Sequence, residues 1–398
     1  MILRPVRTFN LLLAIAVAVA LTAPGCAQEG SPIAQEGSPI AIGPYVQNVS
    51  EEFATICWAT DAGQVKWGPA GGETTTSGGY EFHSVLLPDL EPGTTYTYDV
   101  LMDGSSAGKG TFTTFPEGEH SFRFVAFGDN RNRHDVHRQV VALIMADKPD
   151  LVLNTGDLVR RGNQIKDWEA FFEVSTDLMR NVPYYPALGN HERDAQLYFD
   201  FFSLPGNERY YSFNRGAVHF VALDSDGPRI QETYGAVTDA QKEGFARRKQ
   251  RYFERQLEWL KQDLAGHQDF KYVFVFFHHP LYSVKASRQA GAERVREMFG
   301  SIFQDYNVSA AFHGHDHYYH RAVAGGVQFV TTGGGGAPLY DIDAPLPESV
   351  KWAKIEHFVR VDVAAGRASA RVIDINGETI DEFEMLPRAT GSSEGAAN

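Results

Sequence analysis

Five short polar clusters, each closing an apolar run, constrain this chain more than any other feature. In chain order they hold Asp129 in FVAFGDNR, Asp157 in LNTGDLVRRG, Asn190 and His191 in LGNHE, His278 in FFHHPLY, and His315 with His317 in FHGHDH. The runs before them are Phe122–Phe127, Leu151–Leu153, Tyr184–Leu188, Tyr272–Phe277 and Val308–Phe312. Runs of that length and composition predict buried strands. Acidic, amide and imidazole groups at the carboxyl ends of several strands converge on one crevice. Such a set of oxygen and nitrogen donors suits a pair of divalent or trivalent metal ions.

The 398 residues are enough for two domains. A net charge of −14, from 36 basic and 50 acidic residues, gives no footprint for bulk nucleic acid. An acidic protein that handles phosphate needs local positive charge, which bound metals would supply.

Residues 1–26 predict an export signal. Arg4 and Arg7 precede the apolar stretch Leu11–Leu21, which is shorter than the roughly 20 residues a spanning helix needs. The stretch ends in Thr22-Ala-Pro-Gly-Cys26, which looks like a bacterial lipobox; Cys26 would then be lipidated and lead the mature chain. A plain signal peptide cut nearby is the alternative. The expectation is export to a bacterial cell envelope, with membrane contact only through a lipid on Cys26. Two Asn-Val-Ser triplets, at Asn48 and Asn307, match the glycosylation pattern of a eukaryotic secretory route, but the lipobox-like signal favours a bacterium. The one other cysteine, Cys57, lies in an alternating strand-like run and reads as a buried thiol.

A heptapeptide, Gln-Glu-Gly-Ser-Pro-Ile-Ala, occurs twice in succession over residues 28–41, so that 27–41 reads as a flexible tether. Residues 42–116 carry short strand-like runs (Thr55–Ala59, Val65–Trp67, His83–Leu87, Thr95–Leu101 and Gly110–Thr114) divided by turn residues, which predicts a small β-sandwich. Leu90–Tyr98 resembles the fibronectin type III signature, with Tyr96 as its corner tyrosine, and Trp58 and Trp67 are expected in its core. After the boundary Pro116–Glu119, residues 120–387 alternate strands and helices. Helices are expected at Val136–Ala146, Asp167–Met179 and Gln250–Ala265, with Gly227–Lys249 as a polar surface excursion that can turn helical near its end and 388–398 as a disordered tail.

Taken together and in this order, the five clusters are similar to those of the calcineurin-like metallophosphoesterases. With the fibronectin-like domain in front, the chain looks most like the purple acid phosphatase branch. That resemblance implies an α/β (α+β) architecture: an all-β sandwich, then a metallophosphoesterase domain with two central β-sheets flanked by helices. It implies two metal ions, iron, zinc or manganese, bridged by Asp157. Asp129 and His317 would hold the first, and Asn190, His278 and His315 the second. The implied reaction is hydrolysis of a phosphomonoester by a metal-bound hydroxide, with a phosphodiester as the rival substrate. A non-catalytic surface protein on the same scaffold is the other class. His191 is implied as the group that binds phosphate and protonates the leaving alkoxide, against a structural hydrogen bond to Glu192. His279 is a candidate for substrate contact, and His320 reads better as a surface histidine.

Two positions depart from the family pattern. Arg160 stands where the purple branch has a tyrosine, so no purple colour is expected, and Arg131 stands where other branches have a histidine. The first metal therefore lacks its usual fourth ligand. Asn132, His134 or His137 would have to substitute, or water fills the gap, or Arg131 places a guanidinium beside the substrate; the last two together are the favoured reading. A salt bridge from Arg131 to a nearby carboxylate is its plain structural alternative. The four glycines after Thr332 lack the Lys-Ser/Thr of a P-loop and read as a mobile loop at the cleft mouth.

Overall fold

A computed structural model describes residues 17–20, 40–61, 72–102, 105–228, 238–364 and 366–388. Most of the expected leader with Cys26, nearly all of the tether, the expected strand Val65–Trp67 and the tail after Arg388 lie outside the described residues.

The amino-terminal part holds seven strands: β1 (Val17–Ala20), β2 (Ile42–Gln47), β3 (Ala54–Asp61), β4 (Gly72–Ser77), β5 (Tyr80–Leu87), β6 (Thr95–Met102) and β7 (Ser105–Thr113). They form two antiparallel sheets, in the orders β2-β3-β5-β4 and β1-β6-β7. Trp58 lies inside, 2% exposed. The Tyr96 hydroxyl accepts the backbone N–H of Glu91 at 2.8 Å, which ties the turn before β6 to its strand.

The remainder alternates as its hydrophobic pattern requires. Its elements are β8 (Phe122–Phe127), α1 (His134–Asp147), β9 (Leu151–Asn154), α2 (Ile165–Met179), β10 (Tyr184–Pro186), α3 (Gln196–Phe201), β11 (Tyr211–Arg215) and β12 (Val218–Ala222). Then come α4 (Asp239–Gly266), β13 (Tyr272–Phe277), α5 (Ala286–Asp305), β14 (Ala310–His313), β15 (Tyr319–Ala324), β16 (Val327–Thr332), β17 (Ser349–Ala353), β18 (His357–Ala364), β19 (Arg367–Asp374) and β20 (Thr379–Met385). One sheet runs β10-β9-β8-β18-β19-β20 and the other β11-β12-β13-β14-β16-β15-β17. Strands β8, β9 and β10 are parallel, as are β12, β13, β14 and β16.

The two sheets face each other across aromatic rings. Phe124 of β8 meets Phe220, Phe274 and Phe312 of the other sheet at 5.3, 5.1 and 5.9 Å between centroids. Strand β13 is buried on both faces, so every residue of YVFVFF is apolar or aromatic. Val273, Val275 and Phe277 join Leu260 and Leu264 of α4 and Phe299 and Phe303 of α5, while Phe274 and Phe276 fill the space between sheets. The amino-terminal strands share that inner core. Tyr45 donates its hydroxyl to Phe201 O at 2.6 Å, Gln47 Nε2 reaches Tyr184 O at 3.1 Å, and the Tyr185 hydroxyl accepts Val49 N–H at 3.1 Å.

Helix α4 starts at Asp239, capped by Thr238 and Gln241, so the expected excursion is helical over its last eleven residues, in line with the helical end read there. Its surface is polar, because only Tyr252, Gln256, Leu260 and Leu264 are buried along it. Two expectations change. Helix α5 has no counterpart in the sequence-based assignment, since Gly291 and Gly300 and a broken apolar stripe blur its period. The four glycines 333–336 are buried rather than a mobile loop at the cleft mouth. Gly335 donates to Gly128 O at 3.0 Å, Ala337 to Asp129 O at 2.7 Å, and a side chain at Gly334 would strike the His357 ring. The segment lacks side chains because it packs against the turn that carries Asp129.

Candidate metal centre

The strands deliver their polar groups to one place. Asp129 comes two residues after β8, Asp157 three after β9, Asn190 four after β10, His278 directly after β13 and His315 two after β14. His317 lies two residues before β15. Three of these, Asp129 (φ +55°), Asp157 (φ +57°) and His315 (φ +68°), have left-handed backbones. That region is uncommon for residues with a Cβ and turns each side chain sharply off its strand axis. Gly189 permits the close approach, since a Cβ there would fall onto the nitrogen and Oδ1 of Asp157.

On one side of Asp157, four donors crowd together. Asn190 Oδ1 lies 3.0 Å from His278 Nε2 and 2.9 Å from His315 Nδ1. His278 Nε2 lies 3.2 Å from His315 Nδ1 and 3.3 Å from Asp157 Oδ1. Ligands held about 2.0–2.2 Å from one ion are separated by about 3 Å, so this spacing matches the edges of a coordination shell. His278 Nδ1 donates to Thr155 O at 2.9 Å, which fixes the tautomer with Nε2 facing the cluster.

On the other side, Asp129 Oδ1 lies 3.2 Å from His317 Nε2. His317 Nδ1 is 2.7 Å from Pro338 O. The same Asp129 Oδ1 is buried with no hydrogen-bond partner, while Oδ2 accepts His315 N–H at 2.8 Å. Arg131 lies here as well: Nε is 3.0 Å from Asp157 Oδ2, Nη2 is 3.3 Å from His317 Nε2, and Nη1 donates to Asn132 Oδ1 at 2.6 Å. Of the open readings for Arg131, its contacts here are those of the carboxylate salt bridge.

Electrostatics follow from burial and crowding. Burial opposes ionisation of Asp129, yet the neighbouring His317, His278 and Arg131 outweigh it and hold the carboxyl down at about 2. Burial alone would depress His278, but Asp157 and Asp129 raise it. His315 is driven down by burial, with His279 and His278 adding to the effect. Perturbed groups gathered at one buried point in this way are typical of functional sites.

His191 stands at the rim. Its Nδ1 lies 2.7 Å from Arg160 O, leaving Nε2 3.9 Å from Asp157 Oδ2, and a quarter of its side chain is exposed. Glu192 does not bond it. That carboxylate turns inward and accepts the N–H groups of Asp157, Val159 and Gly189 at 3.0, 3.2 and 2.7 Å. Burial, with Asp157 adding, pushes it up to about 7. His279 Nδ1 is 2.9 Å from Ser225 Oγ, and its ring lies 4.3 Å from that of His315. Both rings line a cavity of about 520 Å³ with Lys249, Phe253, Arg294 and Met298.

Other sequence candidates lie elsewhere. His320 is 1% exposed, not a surface histidine, and its Nε2 meets Ser349 Oγ at 2.9 Å. His137 is buried against Phe127 and Phe171. Asp316, unmarked by the sequence reading, accepts Ser283 Oγ and the Tyr318 hydroxyl, each at 2.5 Å, and faces Arg288 Nη1 at 3.4 Å. It fixes the segment between the two histidine donors; its burial beside a basic residue was not legible from spacing alone. A second cluster of metal-ligating types, His219, Asp263 and His267, also occurs. Both His219 nitrogens are already engaged, with Asn214 at 2.6 Å and Asp263 at 2.7 Å, so it serves as a tie between β12 and α4.

Comparison with known proteins agrees with this geometry. Residues 122–319 match the calcineurin-like phosphoesterase family model. Acid phosphatase type 7 of Mus musculus is 26% identical over 272 residues, covering 60% of this chain and 56% of its own length. A probable inactive purple acid phosphatase of Arabidopsis thaliana is 26% identical over 219 residues, covering 45% of this chain and 30% of its own length. The chain spans about half the length of the curated relatives it matches. A purple acid phosphatase structure from yellow lupin (Lupinus luteus) seeds shares the fold, with a TM-score of 0.68 at 20% identity over 86% of this chain and 74% of that one. The chain carries a calcineurin-like phosphoesterase domain.

Proposed function

We propose that this calcineurin-like phosphoesterase is a metal-dependent hydrolase of phosphomonoesters. The observation that carries the proposal is the set of contacts of 2.9–3.3 Å among Asp157, Asn190, His278 and His315, which are the ligand spacings of an ion. Across Asp157, the buried and unpartnered Asp129 Oδ1 beside His317 adds negative charge that draws a cation to the centre. Metal in such a centre supplies positive charge against phosphoryl oxygens and lowers the pKa of water.

The chain's own residues would do the rest. Asp157 fixes the centre, because its Oδ1 meets His278 Nε2 while its Oδ2 is held by the Arg131 guanidinium. His191, held by Arg160 O with its other nitrogen at the rim, is placed to hand a proton to a departing alkoxide. The leaving group would enter the cavity beyond His279 and His315, where Lys249 and Arg294 offer positive charge and Phe253 and Met298 an apolar wall. Residues 1–26 would direct export, with Cys26 as the lipid anchor; cleavage before Cys26 would take β1 with it and leave β6 as the edge of its sheet.

Turnover of p-nitrophenyl phosphate beside bis(p-nitrophenyl) phosphate, with metal-stripped and reloaded protein, tests the reading. Metal-restored hydrolysis of the monoester in preference to the diester is expected. Absence of both activities in reloaded protein would leave the rival reading, a binding protein on this scaffold, which the salt bridge of Arg131 to Asp157 favours.

A further inference from the structure

We infer that Arg131 stands in for the first metal, so that the protein carries one ion, on the Asn190 side of Asp157. This rests on the metallophosphoesterase reading and goes beyond it by fixing how many ions the centre holds.

The argument turns on which lone pairs are free. A first metal would need Asp129, Asp157 and His317. Because the carbonyl of Pro338, 2.7 Å from His317 Nδ1, can only accept, that nitrogen is a donor, and Nε2 is the one ring nitrogen left to meet a metal. Arg131 Nη2 lies 3.3 Å from it. Asp157 Oδ2, the oxygen turned away from His278, accepts from Arg131 Nε at 3.0 Å. The guanidinium thus uses two of the three groups that a metal would require, and it does so at two corners of one rigid plane. Its third nitrogen, Nη1, is held by Asn132 Oδ1 at 2.6 Å, on a residue whose φ of +83° turns it back toward the arginine. The Arg131 side chain is 12% exposed, so it is packed in place and not extended into solvent.

Charge balance points the same way. Asp129 and Asp157 bring two negative charges and Arg131 one positive. One divalent ion already outweighs the two carboxylates once Arg131 is counted. A second would be placed against a guanidinium that cannot lose its proton. The Asn190 side has no such competitor in contact with its donors, since Asn190 Oδ1, His278 Nε2 and His315 Nδ1 meet one another. In this arrangement Arg131 supplies fixed charge where related centres place an ion.

Metal counting tests this without reference to activity. The full chain is stripped with a chelator, loaded with excess Mn(II), passed through a desalting column and assayed for manganese per chain, with an EPR spectrum of the same sample. One equivalent with an isolated-ion spectrum is expected for the wild type. His317→Ala should still bind one and His278→Ala none, whereas Arg131→Ala and Arg131→His should rise to two with exchange coupling between the ions. Two equivalents in the wild type, retention of the ion in His278→Ala, or its loss in folded His317→Ala would overturn the inference and leave the phosphoesterase reading standing. No bound metal in any of the proteins would overturn both. The wild type, His278→Ala and His317→Ala decide the matter even if the Arg131 variants fail to fold.

Discussion

The two flanks of Asp157 use the same chemistry and end differently. On the Asn190 flank, an amide and two imidazoles converge, with donors 2.9–3.2 Å apart. On the Asp129 flank, a carboxylate and an imidazole are 3.2 Å apart, and a guanidinium is bonded to Asp157 beside them. The contrast shows that a buried carboxylate needs a counter-charge and that the chain itself can supply it on one side only. Buried charges persist when paired, and a pair broken by removing one partner is costly.

The largest expected effect removes what the flanks share. Asp157→Asn should lower turnover by at least roughly two orders of magnitude, because the carboxylate that both flanks use is gone. Unchanged steady-state rates in folded mutant protein would remove the centre from the reaction. Next, the flanks should respond unequally. His278→Ala, which leaves no bound ion, should match the Asp157→Asn loss of at least roughly two orders of magnitude, and His317→Ala, which keeps the ion, should cost on the order of tenfold, as loss of a supporting partner does. Equal losses in a side-by-side assay would erase the distinction between them.

Acid sets the conditions for any such comparison. Burial holds His137 down at about 3, and burial also holds His320 and His357 down at about 4, so the folded chain keeps them neutral while the unfolded chain protonates near 6.5. The unfolded state then binds more protons, and stability falls as pH drops from 6.5 toward 4, levelling off below each folded value. Each fully buried histidine should cost about 1 kcal/mol per pH unit in that window. Thermal melts at pH 7 and pH 5 should show a clear loss; equal melting points would mean these rings find protonated partners. The smallest effect is expected at Glu192→Gln, which weakens the acceptor for three backbone N–H groups around Asp157. A loss of about 1 kcal/mol in chemical denaturation would suit one impaired hydrogen bond.

Much of this was legible in the sequence, for identifiable reasons. Buried parallel strands need unbroken apolar runs, so the strands before Asp129, Asp157 and His278 announce themselves, and the polar groups after them mark the crevice. Fold class and the family follow from that order. Helix α5 escaped notice because two glycines interrupt its apolar face. The role of the four glycines after Thr332 was hidden because close packing against the Asp129 turn is a tertiary fact. Glu192 and Asp316 were not legible as supports, since what they hold is backbone or a neighbour distant in sequence. The contacts of Arg131 were open between substrate and salt bridge; only three-dimensional placement puts it on Asp157 and His317.

The joint between the front strands and the rest has a practical consequence. Tyr45, Gln47 and Val49 are bonded across it to Phe201, Tyr184 and Tyr185, and the Phe172 ring lies tilted against that of Tyr45 at 5.1 Å between centroids. Cutting the gene at Pro116 to express the hydrolase half alone would strip one wall from its interior and leave aromatic rings facing water. The front module is better regarded as part of the casing than as a detachable handle.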